Sequence, residues 1–278
     1  MSTTTSTAPV TIDTERPGVP FGRLLRVEFR KMFDTRASRW LVISTGILLV
    51  LVTAVVLLVV GLNDGARVSS HDWYTNVMVS VLSLLLPVFA ILSVTGEWGQ
   101  RSHLTLFTLE PRRARVVTAK LVAVTSFALL ILVVAFALSA VGNVVGAAVG
   151  GYDAVWNYDL SETMWTVVAQ LAYFLMAFGL GAVVLSTPMA IVIFYVTGLL
   201  LPFMVYAPLV GIFEWARDIV PFVDINYAIV EPMTGQDFVG NSVDVGAVEY
   251  LRVLSPVIIW NVIPLVLGYL RIMRDEVK

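Results

Sequence analysis

Residues 163–213 read TMWTVVAQLAYFLMAFGLGAVVLSTPMAIVIFYVTGLLLPFMVYAPLVGIF, 51 residues with no charged side chain between Glu162 and Glu214. As one helix this stretch would be about 75 Å long, more than twice the ~30 Å hydrocarbon core of a bilayer. It must fold back on itself. Ser186, Thr187 and Pro188 mark the turn, because proline suits a helix start and disfavours helix at the residue before it. Two antiparallel spans follow, at about 163–186 and 188–207.

Outward from this hairpin the pattern repeats. Uncharged runs at Trp40–Leu62, Trp73–Gly96 and Leu121–Tyr152 are each long enough to cross, giving spans at about 40–62, 73–96 and 117–150. A sixth span covers about 254–271, with Pro256 near its start and Pro264 inside, where a kink is expected. Hydrophobic residues make up 58% of the 278 and charged ones 14%, and the mean hydropathy is +0.86, so the solvent is lipid rather than water. The chain has no cysteine, which excludes thiol catalysis, disulfides and thiolate metal sites.

Six spans put both termini on one side, and the basic residues say which. Fifteen of the 18 Lys and Arg (Arg16 to Arg39, Arg101 to Lys120, and Arg271 to Lys278) fall on the termini side, and only Arg67, Arg217 and Arg252 on the other. The expectation is a multi-pass protein of a bacterial cytoplasmic membrane with both termini cytosolic. Residues 1–20 read as a disordered cytosolic tail, since they lack the cationic start and apolar core of a signal peptide. Trp40, Trp98 and Tyr269 fall at inner boundaries, and Trp73, Tyr74, Trp156, Tyr158 and Trp165 at outer ones, as an aromatic belt does.

Four segments carry more than a span. Residues 21–34 form an amphipathic helix, with Phe21, Leu24, Leu25, Phe29, Met32 and Phe33 on one arc and Arg23, Arg26, Arg30 and Lys31 on the other, a pattern that lies on a membrane surface. Glu28 falls inside the apolar arc, where it needs a basic group or a partner's backbone. The cytosolic loop 97–116 holds Leu104, Leu106, Phe107 and Leu109 outside the membrane; they need a surface to bury against, either the first helix or a groove on a soluble partner. Glu97 stands four residues before Arg101, in reach for a local pair. His103 has no second ligand at metal spacing. Gly142, Gly146 and Gly150 make a small-residue stripe for close helix packing. Residues 208–252 hold short apolar pieces cut by Pro208, Pro221 and Pro232, read as external re-entrant or interfacial helices and as a candidate lid.

No Gly-x-x-x-x-Gly-Lys-Ser/Thr loop occurs, and the span interiors read as free of Asp, Glu, Lys, Arg and His, which disfavours ATP binding by this chain and ion-coupled transport. No catalytic cluster stands out, so the chain reads as non-enzymatic, with no metal and no nucleic acid. The polar groups on the spans are modest: Ser80, Ser83, Ser93, Asn143, Gln170, Tyr173, Tyr195 and Asn261.

RVEFRKMFDTRASRW (26–40), VTGEWGQRSHLTLFTLEPRRARVVTAKL (94–121) and the six-span plan with a broken segment before the last span resemble the permease subunit of an ATP-binding-cassette exporter of the type-2 class, actinobacterial-like. The resemblance covers essentially the whole chain after residue 20. It implies an all-α membrane fold of the type V exporter kind, an elbow helix with Glu28, Arg30 and Lys31, and a coupling helix near 101–109. Glu97, Arg101, His103, Leu104, Leu106, Phe107 and Arg112 would face the ATPase. It further implies two cytosolic ATPase subunits carrying ATP and Mg, a second permease copy (the same chain or a related one), and export of an amphipathic or lipid-like solute. The turn at 186–188 departs from the pattern by lacking a basic residue. The rival reading is a non-transporting sensor or scaffold subunit whose external segment binds a ligand.

Overall fold

A computed structural model describes residues 19–34, 36–62, 70–99, 113–237 and 240–274. Helices α1 (Phe21–Asp34), α2 (Arg36–Leu62), α3 (His71–Gly99), α4 (Arg113–Gly150) and α5 (Leu160–Val184) are followed by α6 (Thr187–Tyr195). Helix α6 continues through two wide turns, Val196–Leu200 and Pro202–Tyr206, into α7 (Ala207–Ile212). Then come α8 (Glu214–Ile219), a 3-10 turn (Val220–Phe222), α9 (Ile225–Thr234), α10 (Ala247–Val257), a wide turn (Ile258–Val262) and α11 (Ile263–Arg274). Among the described residues, six segments are long and apolar enough to cross a bilayer: Ser38–Leu62, His71–Glu97, Ala114–Gly150, Leu160–Val184, Thr187–Ile212 and Ala247–Arg274. The fold is all-α, as the sequence implies, and the described residues contain no strand beyond two isolated bridges.

The spans run up and down, so α1, the end of α3, the start of α4, the α5–α6 turn and the end of α11 share one end of the bundle, here termed the basic end. Helix α3 lies at the centre. Its Met78, Leu82, Phe89, Ile91 and Val94 are buried against Ala123, Val124, Phe127 and Leu132 of α4 and Phe174, Met176 and Phe178 of α5. Helices α5 and α11 approach most closely through small residues: a Cβ on Gly179 would lie 3.0 Å from the Leu265 nitrogen, and one on Gly268 2.5 Å from the Ala182 Cβ. Helix α2 and the span that begins with α6 leave Ile47, Leu58, Leu62, Met189, Val192 and Phe203 exposed, as lipid-facing surfaces do.

The three wide turns share one cause. Each closes on a bond from an N–H to the carbonyl five residues back, donated by Leu201, Ala207 and Ile263, and each donor directly precedes a proline: Pro202, Pro208 and Pro264. A proline has no N–H and its ring collides with the carbonyl four residues back. Taking an extra residue into the turn moves that carbonyl away. Pro264, where the sequence suggests a kink, sits at such a turn.

Two other features differ from the sequence reading. Helix α4 starts at Arg113 and has 38 residues, so about 57 Å of helix extends well past the bilayer core. Helix α1 does not lie flat. It runs alongside the first third of α4 in the same direction: Arg115 Nη2 donates to the Val19 carbonyl at 3.0 Å, Lys120 reaches Glu28, and the Phe33 ring meets Phe127 edge-on at 5.6 Å. Arg39 closes the junction to α2 by donating to the Phe33 and Asp34 carbonyls at 3.1 and 3.3 Å.

Candidate functional site: a buried ion network at the basic end

Helix α1 turns Glu28 and Met32 toward the bundle, because its apolar arc packs on α4 and Glu28 sits within that arc. The carboxylate meets two ammonium groups there. Glu28 Oε1 accepts from Lys31 Nζ at 2.6 Å and Oε2 from Lys120 Nζ at 2.8 Å. Glu97, from the last turns of α3, accepts on Oε1 from both lysines, at 2.9 Å from Lys31 and 2.7 Å from Lys120. Lys120 gives its third proton to the Ser93 carbonyl at 3.3 Å. An ammonium has three donors, and all three are used.

The network holds two positive and two negative charges, with side-chain exposures of 5% for Glu28, 9% for Lys120, 16% for Glu97 and 33% for Lys31. Burying four charges is costly unless each is paired and hydrogen-bonded, a condition this arrangement meets. Both carboxylates and both ammonium groups are engaged with one another, and the four side chains join three helices. Glu97 lies two residues before the end of α3, and Lys120 lies in the second turn of α4. The quartet therefore ties both roots of the α3–α4 connection to α1.

Glu28, Lys31 and Glu97 of the sequence-derived residues converge here. Arg30 does not: it is exposed and makes a 3.4 Å pair with Asp34 on the open face of α1. Arg101, His103, Leu104, Leu106, Phe107 and Arg112 lie outside the described residues, as do residues 1–18 of the tail. Glu97, at the edge of the second span, and Lys120, inside the 117–150 span drawn from the sequence, are charged groups buried at the basic end of α3 and α4. Sequence reasoning counted Lys120 only as an orientation charge.

The glycine stripe serves α3. A Cβ on Gly142 would come within 2.8 Å of the Tyr74 ring, and one on Gly146 would meet the Tyr74 hydroxyl, so the close neighbour is in the same chain. Gly150 packs on Tyr152. Tyr74 is thus fully buried between helices and does not belong to the aromatic belt.

No family model matches the chain, and no curated protein matches it. What stands is a multi-pass membrane protein of all-α architecture with an ion-paired junction at its basic end.

At the α5–α6 turn, Leu185 in the left-handed region (φ 55°) ends α5, Ser186 is extended, and Thr95 and Thr187 share a 2.7 Å hydroxyl contact. A guanidinium does stand beside this turn, from elsewhere in the chain: Arg271 of α11 donates to the Val183 carbonyl.

At the opposite end the segment 213–234 is fastened to the last span. Arg252 donates to both Glu231 oxygens, at 3.1 and 2.8 Å, and lies over the Phe222 ring. Ser255 Oγ bonds to the Phe222 carbonyl, and Trp260 Nε1 to the Val223 carbonyl at 2.7 Å. Asp224 caps α9 by accepting from Asn226 and Tyr227 N–H groups at 2.9 and 3.2 Å. Burial pushes its carboxyl up from 3.8 to about 6, against the pull of those N–H donors. Among the described residues no group of three His, Asp or Glu could hold a metal ion.

The polar span groups are mostly bonded to main chain. Ser80, Ser83 and Ser93 donate to carbonyls of their own helices, and Asn143 to the Val155 carbonyl. The Tyr173 hydroxyl and both ends of the Asn261 amide are buried without a partner.

Proposed function

We propose that this chain is the membrane-spanning permease subunit of an ATP-binding-cassette exporter of the type-2 class. In this reading the basic end faces the cytosol, two copies of a separate ATPase subunit supply ATP and Mg, and a second permease copy completes the pore. The cargo is an amphipathic or lipid-like solute, consistent with spans whose polar groups are few and mostly bonded to main chain.

The ion quartet is the observation that carries the reading. A segment that receives force from a partner must be rooted in the elements that move, and both roots of residues 100–112 are fixed to α1 through Glu28, Lys31, Glu97 and Lys120. Any displacement of that segment is shared by α1, α3 and α4 together. Arg271 at the α5–α6 turn places a second basic group at the same end.

Leu104→Asp and Phe107→Asp test the docking step. Each should abolish co-purification of the ATPase while the chain still inserts and folds; co-purification unchanged in both variants would refute the docking role. Vesicle flux that is equally large without ATP would refute the transport role.

A further inference from the structure

We propose that Arg23, Arg26 and Arg30 on the outward face of α1 form a binding surface for anionic phospholipid headgroups. The three are spaced three and four residues apart, so they share one face of the helix. All are exposed, Arg30 with a 3.4 Å surface pair to Asp34 that a phosphate would compete with, and the opposite face carries the buried Glu28 and Met32. Exposed Val27 and Phe33 flank the row on either side.

Depth places this face at the membrane boundary. Trp40 is 69% exposed at the start of the first span, and α2 travels with α4 so that Gly61 lies beside Val149 and Leu57 beside Gly146. That register brings Trp40 to the level of residues 128–129, next to Phe127 and hence to Phe33. The apolar core therefore begins where α1 ends, and the arginines stand within about 15 Å of that level along the helix axis. Arginine stems lie along apolar surface while the guanidinium reaches the polar layer, where phosphate offers a geometric match for its fork of donors. Phe33 and Trp40, exposed at this level, meet the edge of the hydrocarbon, and the guanidinium row beside them faces the phosphate layer. Because the inner face of α1 carries Glu28, a headgroup held on the outer face steadies the helix that the quartet uses. The proposal does not depend on the transport reading.

The test uses the full chain in phosphatidylcholine vesicles containing phosphatidylglycerol, and measures the association of spin-labelled phosphatidylglycerol relative to spin-labelled phosphatidylcholine. A basic group near an anionic surface is worth about a five-fold preference. The wild type should favour the anionic lipid several-fold, and Arg23→Gln/Arg26→Gln/Arg30→Gln should lower that ratio by a factor of about five or more, with an unchanged melting temperature in phosphatidylcholine alone. A wild-type ratio retained by the triple variant overturns the proposal, as does retention together with loss of a co-purifying soluble partner. If the variant does not fold, the wild type decides: its preference must fall as salt rises from low to about 1 M, and a preference insensitive to salt overturns the proposal.

Discussion

Lys120→Met removes the ammonium at the centre of the quartet while keeping most of the unbranched apolar stem. Glu28 and Glu97 are then left to share Lys31 alone, so the buried junction carries one uncompensated negative charge. Breaking a buried pair by removing one partner costs about 3–5 kcal/mol, and Lys120 is bonded to both carboxylates at 2.7 and 2.8 Å as well as to a carbonyl, which puts the expected loss in that range. Lys31, one-third exposed, has water to replace its contacts, so Lys31→Met should cost about 1 kcal/mol or less. Adding Glu97→Gln to Lys120→Met restores equal numbers of charges, and the double variant should recover a large part of the loss. Thermal unfolding of the purified protein in nanodiscs, followed by tryptophan fluorescence, reads these differences as a melting shift on the order of 10 °C for Lys120→Met. Equal losses for the two lysine variants, or a double variant whose loss is the sum of the two singles, would refute the account of the quartet as a coupled unit.

Gly146→Leu should drive the Tyr74 ring out from between α3 and α4, at a cost of about 1–3 kcal/mol or more, and Tyr74→Ala in the same chain should restore part of the folded yield. The folded fraction should keep its wild-type oligomeric state in size-exclusion chromatography with light scattering, because the contact is within one chain. Asp224→Asn keeps a side chain able to cap α9 and removes the cost of a buried charge. With the folded-state carboxyl raised to about 6 from 3.8, its stabilising contribution is fully present below pH ~4 and is lost as the pH rises through about 6, an amplitude of roughly 3 kcal/mol at most. Melting curves at pH 5 and 8 should therefore differ less in the variant than in the wild type; an identical pH dependence in both would show that another group is responsible.

The spans were legible because each is an uncharged run long enough to cross the bilayer. The 186–188 hairpin was legible because a 51-residue helix would be more than twice as long as the bilayer is thick, with Ser186 to Pro188 offering a helix start. The wide turns were half legible: Pro202, Pro208 and Pro264 announce a disturbance, but whether a helix bends or takes in an extra residue depends on what packs against it. The quartet was not legible. Glu28 could be seen to need a cation, yet Lys120 is 92 residues away, and a count of basic residues by side treats a buried lysine and a solvated one alike. Tyr74 was misread for a related reason, since an aromatic at a helix end looks the same whether it faces lipid or fills the space left by Gly142 and Gly146. The tilt of α1 also eluded the sequence: amphipathicity fixes which face is buried, and only the contacts of Val19, Glu28 and Phe33 along α4 fix the direction of the axis.

The most direct measurement is the subunit composition of the complex isolated from native membranes through an affinity tag on this chain, with its ATPase activity. The account predicts two permease subunits with two copies of an ATP-hydrolysing subunit, and an ATPase that leaves the complex when Leu104 or Phe107 is replaced by Asp. A folded, functional preparation containing this chain without any ATP-hydrolysing partner would contradict it.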